Sequence, residues 1–317
     1  MLPTVMALEA LPALSLHDRR ADPAGFATAM GDSYARYGFA IVRDHGLDAA
    51  LIARALQATK DFFALQEAVK RRYHVAGGAG QRGYVPFGME AAKGADKVDL
   101  KEFWHVGREL PEGHRYRPVM PHNLWPSEVA TFHSDVYALY EALDAIGQNL
   151  LRSIAAFLKL PDDYFANATR DGNSVLRLLH YPPTPPQPEG VRAEAHEDIN
   201  TITLLLGAEE AGLQLLTREG EWLDVNPPEG ALVVNIGDML QRLTNDKLRS
   251  TTHRVVNPIP ERAHLPRYSI PFFLHFAPDF LIETLPSCID AQHPDHYPEP
   301  ITAQDFLYQR LREIRLA

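Results

Sequence analysis

The chain has 317 residues, with 31 Lys+Arg against 41 Asp+Glu, for a formal net charge of −10. That acidic balance argues against a nucleic-acid binder working by phosphate neutralisation. The single cysteine, Cys288, excludes an internal disulfide framework and any cysteine-built metal site, whereas 14 histidines leave imidazole and carboxylate as the available metal ligands.

In chain order, residues 1–15 are fairly apolar but lack a basic region and carry Glu9 and two prolines, so they read poorly as a signal peptide. No stretch reaches the roughly 20 apolar residues that span a bilayer. The expectation is a cytoplasmic protein with no membrane or nucleic-acid partner. Residues 37–42 (Tyr-Gly-Phe-Ala-Ile-Val) read as a strand, 48–68 as a helix, 75–83 as a glycine-rich loop, and Tyr84–Gly88 and Glu102–Val106 as short extended pieces. The longest helical period covers 126–160, with Ser127 as its expected N-cap and Pro161 as its stop. From Ser174 the character changes to short β-rich runs at 174–181, 201–206, 212–216, 222–225, 231–236, 251–257 and 268–276, interrupted by a proline-rich loop at 182–190. Asp238 reads as a helix cap, and 303–316 as a closing amphipathic helix. Short strands at near-regular spacing predict a sandwich or jelly roll with helical dressing at both ends.

The most informative string is His196-Glu197-Asp198. On an extended strand, residues two apart share a face, so both side chains reach one ion. Alone, His-x-Asp is more often a solvated turn. A third candidate is His253, mid-strand in Thr252-His253-Arg254-Val255. Two His and one Asp from different strands form the facial set that suits non-haem Fe(II) and leaves three positions open. Arg267 and Ser269 again share a strand face, where a guanidinium and a hydroxyl can hold a carboxylate.

These motifs together resemble the isopenicillin N synthase-like family of Fe(II)/2-oxoglutarate-dependent dioxygenases. The resemblance runs through Tyr37-Gly38-Phe39, His45-Gly46, Arg82-Gly83-Tyr84, Asp99-Leu100-Lys101-Glu102-Phe103, Tyr181-Pro182-Pro183, Gly212-Leu213-Gln214, Val233-Val234-Asn235-Ile236-Gly237-Asp238 and Arg267-Tyr268-Ser269-Ile270-Pro271-Phe272-Phe273. It implies a mostly β fold with flanking helices around a double-stranded β-helix (jelly roll) core. One oxygenase domain would span 1–317, with an N-terminal α/β region over 1–120 and the catalytic core over 174–280. His196, Asp198 and His253 would ligate iron. Arg267 and Ser269, with Tyr181 nearby, would bind the distal carboxylate of 2-oxoglutarate.

The implied reaction uses Fe(II), 2-oxoglutarate and dioxygen, with ascorbate in support. It couples decarboxylation to succinate and CO2 with oxidation, hydroxylation first among the options, of a small organic molecule. Alternatives are a same-fold oxidase that needs no 2-oxoglutarate, of isopenicillin N synthase or aminocyclopropane carboxylate oxidase type, and a non-catalytic jelly-roll metal binder. Relatives often place Asn two residues before the tyrosine; here it is Leu179, so Arg177 or Tyr181 is expected to serve the pocket instead. Tyr84, Phe273 and His275, with Arg177, are the candidates for contact with substrate. His105 and the remaining histidines read as surface, turn or core residues. Substrate identity and oligomeric state are not legible.

Overall fold

Residues that interrupt a pattern set the element boundaries. The segment 37–42 is not one strand: Tyr37 ends a helix, and Gly38, at φ 70°, closes it with its N–H on the Tyr34 carbonyl. A Cβ at position 38 would meet Thr251 Oγ1 and, at 2.6 Å, the Arg249 carbonyl, so glycine alone fits this left-handed position. The long helix is shorter at both ends than its periodicity predicts. Ser127 is not its cap, because the Ser127 N–H donates to the Tyr73 hydroxyl (3.1 Å) in a turn preceding Thr131, which holds the N-cap position. At the far end Lys159 adopts φ 57° and the Leu160 N–H reaches back to the Ala155 carbonyl (2.9 Å), stopping the helix before Pro161.

The structure, a computed structural model, describes residues 11–90, 98–185, 188, 190–206 and 212–313. The first ten residues, part of the proline-rich loop, and the end of the closing helix at Leu316 lie outside the described residues. The N-terminal part forms β1 (Ala13–Ser15), α1 (Leu16–Ala21), α2 (Pro23–Tyr37), β2 (Phe39–Arg43), α3 (Ala49–Phe63), α4 (Glu67–Lys70), β3 (Gly83–Val85) and β4 (Glu102–Gly107). Two helices follow, α5 (Phe132–Phe157) and α6 (Tyr164–Ala168). The β-rich part contains β5 (Val175–Tyr181), β6 (Ala193–His196), β7 (Ile202–Leu206), β8 (Leu213–Leu216), β9 (Trp222–Asp224) and β10 (Leu232–Ile236). It continues with α7 (Asp238–Leu243), β11 (His253–Val255), β12 (Arg267–Leu274), β13 (Leu281–Ile282), β14 (Ile301–Thr302) and α8 (Ala303–Glu313).

The large sheet runs β1-β2-β10-β7-β12-β5-β4-β3, and the small one β6-β11-β8-β9. Within the large sheet, among the described residues, only β1 and β2 pair in parallel. The N-terminal strands therefore extend both edges of the β-rich part. Strand alternation divides the apolar residues into two sets. Ala40, Val42, Val234, Leu204, Phe272 and Leu176 face the α2, α3 and α5 layer and form the main core. Phe39, Ile41, Val233 and Leu215 form a second cluster between the sheets. The sheets thus enclose a space that is apolar at one end and carries the polar inward-facing positions at the other.

Candidate active site

His196 ends β6 and His253 begins β11. The two strands are antiparallel with His196 directly opposite His253, and the ring centroids are 4.4 Å apart. Asp198 follows β6 after one intervening residue, with Oδ1 3.8 Å from His253 Nε2. One ligand atom from each of the three lies within 4.8 Å of the others.

The surroundings fix which atoms are offered. His196 Nδ1 donates to the Glu194 carbonyl (2.6 Å) and His253 Nδ1 to the Thr251 carbonyl (3.0 Å), leaving both Nε2 lone pairs free to ligate. Asp198 Oδ2 accepts from Thr203 Oγ1 (2.5 Å) and Asn235 Nδ2 (2.7 Å), which leaves Oδ1 on the side of the histidines. Burial pushes the Asp198 carboxyl up, but His253, His196 and these two donors outweigh it and hold the group below its usual range. Burial and then the neighbouring His253 bring His196 down to about 4. Two imidazoles, each with Nε2 turned to the centre, and one carboxylate at this spacing fit a divalent iron with hard nitrogen and oxygen donors.

Two cavities meet at His196 and Asp198, and His253 borders the smaller of them. The smaller, about 70 Å³, is bordered by Arg267, Ser269 and Phe273 of β12 and by Arg177 and Tyr181 of β5. Arg267 pairs with Tyr181 across the strands, with its guanidinium 5.1 Å from the Tyr181 ring centroid, and is 3% exposed. The larger cavity, about 290 Å³, is bordered by Phe273 and His275, by Arg177 and Lys101, and by Leu307 and Leu311 of α8. His275 Nδ1 bonds the Phe273 carbonyl (3.0 Å), and burial lowers its ring to about 4, so it is neutral at the cavity wall.

Of the residues singled out from the sequence, the structure brings all but Tyr84 to this region. Tyr84 borders neither cavity. Its place on β3 turns it, with Trp104, toward the helical layer, where it is fully buried and its hydroxyl bonds Glu102 and, at 3.2 Å, Glu67. Asp238 is also reassigned: Gly237 holds the N-cap position, and Asp238 pairs with Arg310 of α8 at 2.9 Å. The sequence reading missed Thr203 and Asn235, each a lone polar residue at an inward position of an otherwise apolar strand. It also missed Glu90, Asp99, Lys101 and His105, which line the larger cavity.

Residues 172–276 match the model of the 2OG-Fe(II) oxygenase superfamily, and residues 11–128 match the N-terminal model described for non-haem dioxygenases in morphine synthesis. The 2-oxoglutarate-Fe(II) type oxidoreductase hxnY of Emericella nidulans is 34% identical over 282 residues, covering 85% of this chain and 79% of the relative. The chain belongs to the 2OG-Fe(II) oxygenase superfamily. A crystal structure of a 2OG-Fe(II) oxygenase family protein from Caulobacter crescentus is 56% identical and superposes with a TM-score of 0.90, covering 97% of this chain and 100% of that one. A full-length Neurospora crassa protein crystallised in complex with alpha-KG is 29% identical with a TM-score of 0.83, over 95% and 96% of the two chains. As a member of this superfamily, the oxygenase uses Fe(II), 2-oxoglutarate and dioxygen and oxidises a small substrate. Among the described residues, no helix of the oxygenase is long and apolar enough to cross a membrane.

Proposed function

We propose that His196, Asp198 and His253 hold Fe(II), that Arg267 and Ser269 receive the distal carboxylate of 2-oxoglutarate beside Tyr181, and that the larger cavity admits a small organic molecule for hydroxylation. The observation that carries this reading is the junction of the two cavities at His196 and Asp198, with an arginine cavity on one side and a roomier one on the other. When bound, iron supplies the oxygen-activating chemistry, drawing two electrons from 2-oxoglutarate as it becomes succinate and CO2. Arg267 offers a forked pair of N–H donors matched to a carboxylate, and Ser269, two residues on, adds a third donor. Phe273 and His275 shape the substrate side. Leu307 and Leu311 of α8 close it against water, which protects the reactive state from side reactions. The setting we infer is the cytoplasm, where 2-oxoglutarate is abundant and a lone buried thiol such as Cys288 stays reduced.

The test is a set of single substitutions. Asp198→Ala is expected to abolish Fe(II) binding in anaerobic titration and succinate formation with it. Arg267→Ala is expected to raise the KM for 2-oxoglutarate by about 100-fold, as loss of a charge-assisted pair would. Unchanged iron binding in the first variant, or unchanged KM in the second, overturns the corresponding assignment. Arg177→Met and Tyr181→Phe report whether either contributes to co-substrate affinity.

A further inference from the structure

The partition between the two cavities holds two cations and two anions in one buried cluster. Lys101 and Arg177 border both cavities, whereas Glu90 and Asp99 border only the larger. One terminal nitrogen of Arg177 lies 3.3 and 3.2 Å from the two Glu90 oxygens. Lys101 Nζ lies 2.6 Å from Asp99 and 3.5 Å from Glu90. The Arg177, Glu90 and Lys101 side chains are 14%, 11% and 6% exposed, so solvent screens these charges little.

Arg177 is also held in place. Its Nε donates to His105 Nε2 (2.6 Å), and its guanidinium lies 4.2 Å from the Phe103 ring and 5.2 Å from the Phe273 ring. His105 Nδ1 faces the Gly80 carbonyl at 2.5 Å, which fixes the neutral ring that accepts from Arg177. Burial opposes ionisation of Glu90, but Arg177 and then Lys101 outweigh it and bring the carboxyl down to about 2, so it is charged. Among the described residues, the third cation on the wall, Arg310, is matched by Asp238 (2.9 Å) and Glu313 (2.8 Å).

A dianionic co-substrate must enter the smaller cavity and stay out of the larger one. Two buried cations bordering both would attract a carboxylate to either side. We propose that Glu90 is the charge-selecting residue of the larger cavity. By neutralising Arg177 and Lys101 on that side, with Asp99, it makes the cavity a site for an uncharged polar substrate and confines carboxylates to the Arg267 side. The inference rests on the assignment of the two cavities made above. It adds that discrimination between substrate and co-substrate is a matter of local charge balance, and that an anionic substrate is rejected because the cations it would meet are already paired with carboxylates.

The test is calorimetric titration of the Fe(II)-loaded enzyme with 2-oxoglutarate, without oxygen. The wild type is expected to bind one equivalent. Glu90→Gln is expected to bind a second, at least about tenfold tighter than any second binding by the wild type, because the cations on the partition are then in excess. Glu90→Gln combined with Lys101→Met restores charge balance and is expected to return to one equivalent. If Glu90→Gln does not hold its fold, Asp99→Asn unbalances the same cluster from the other side and is expected to reveal the same second site. One equivalent in both unbalanced variants, or a second equivalent that persists in the double variant, overturns the proposal. No 2-oxoglutarate bound by the wild type overturns instead the cavity assignment on which it rests.

Discussion

Replacing Thr203 by valine tests how the oxygenase presents Asp198, the carboxylate proposed to bind iron. Thr203 of β7 and Asn235 of β10 are cross-strand neighbours, and both donate to the same oxygen of Asp198, at 2.5 and 2.7 Å. Valine keeps the volume of threonine and removes only the hydroxyl, in a site where Thr203 is 4% exposed. A hydrogen bond to a buried charged group contributes about 1.5–3 kcal/mol. Loss of one of the two donors also lets the carboxylate rotate and offer both oxygens to the ion. Outer hydrogen bonds of this type change metal affinity by about 10–100-fold, which agrees with the free-energy range. The expected result is Fe(II) affinity weakened by about 10–50-fold in anaerobic competition with a chelator, with the KM for 2-oxoglutarate unchanged once iron is saturating. Thr203→Ser, which retains the hydroxyl, should stay near wild type. If Thr203→Val binds iron within a factor of about two of the wild type while Asp198→Ala does not bind it, the hydroxyl is not what aims the carboxylate.

Glu90 should confer acid sensitivity. Its folded-state value of about 2 lies below the ordinary 4.5, so ionised Glu90 stabilises the fold above the ordinary value, and that stability is lost as pH falls through about 2. Glu90→Gln should therefore melt below the wild type at neutral pH, by about 3 kcal/mol, with the gap closing between pH 4.5 and 2; a gap independent of pH would refute the ionised assignment. The buried pair Lys70–Glu102 (2.7 Å), joined by Tyr84 and by His180 (2.7 Å to Glu102), lies away from both cavities. Lys70→Met should cost about 3–5 kcal/mol in denaturant unfolding and leave the KM for 2-oxoglutarate unchanged, and a large change in KM would place this cluster in the site. Gly38→Ala should impair both stability and iron binding, because its Cβ would press on Thr251, whose carbonyl holds His253; retention of iron affinity with lower stability would separate the two effects.

The ligand and carboxylate candidates were legible because a strand has period two. His196 with Asp198, and Arg267 with Ser269, are each two apart, and a two-residue offset on extended backbone is a statement about direction. The residues that support them were harder to see. Thr203 and Asn235 each look like a minor interruption of an apolar strand until the pairing of β7 with β10 sets them side by side. Glu90 and Arg177 are 87 residues apart, and nothing local to either announces the other. The N-terminal helix α2 did carry local signals, Asp22 accepting from the Gly25 N–H ahead of Pro23 and Gly38 behind. Its small residues gave too weak an apolar stripe for the period to reveal it. Alternation on the strand decides the placement of both Tyr84 and Arg267: it turns Tyr84 to the helical layer and Arg267 to the smaller cavity.

Register on β12 therefore does more than place one pair of residues. Positions 267, 269, 271 and 273 all face the smaller cavity, and 273 and 275 face the larger. The intervening Ile270, Phe272 and Leu274 are buried in the main core. At about 3.3 Å per residue, the strand carries the chain roughly 20 Å from Arg267 to Phe273. One strand thus spans from Arg267 at the smaller cavity to Phe273, which borders both. Its outward residues are locked by cross-strand pairing with Leu204 and Leu176 opposite Phe272. A slip of one residue would place Tyr268 and Ile270 where the guanidinium and hydroxyl now stand, and would expose the arginine to the core. The apolar packing of the outer face is what fixes the distance between the two cavities, so the interval between the proposed co-substrate and substrate sites is set by residues that border neither.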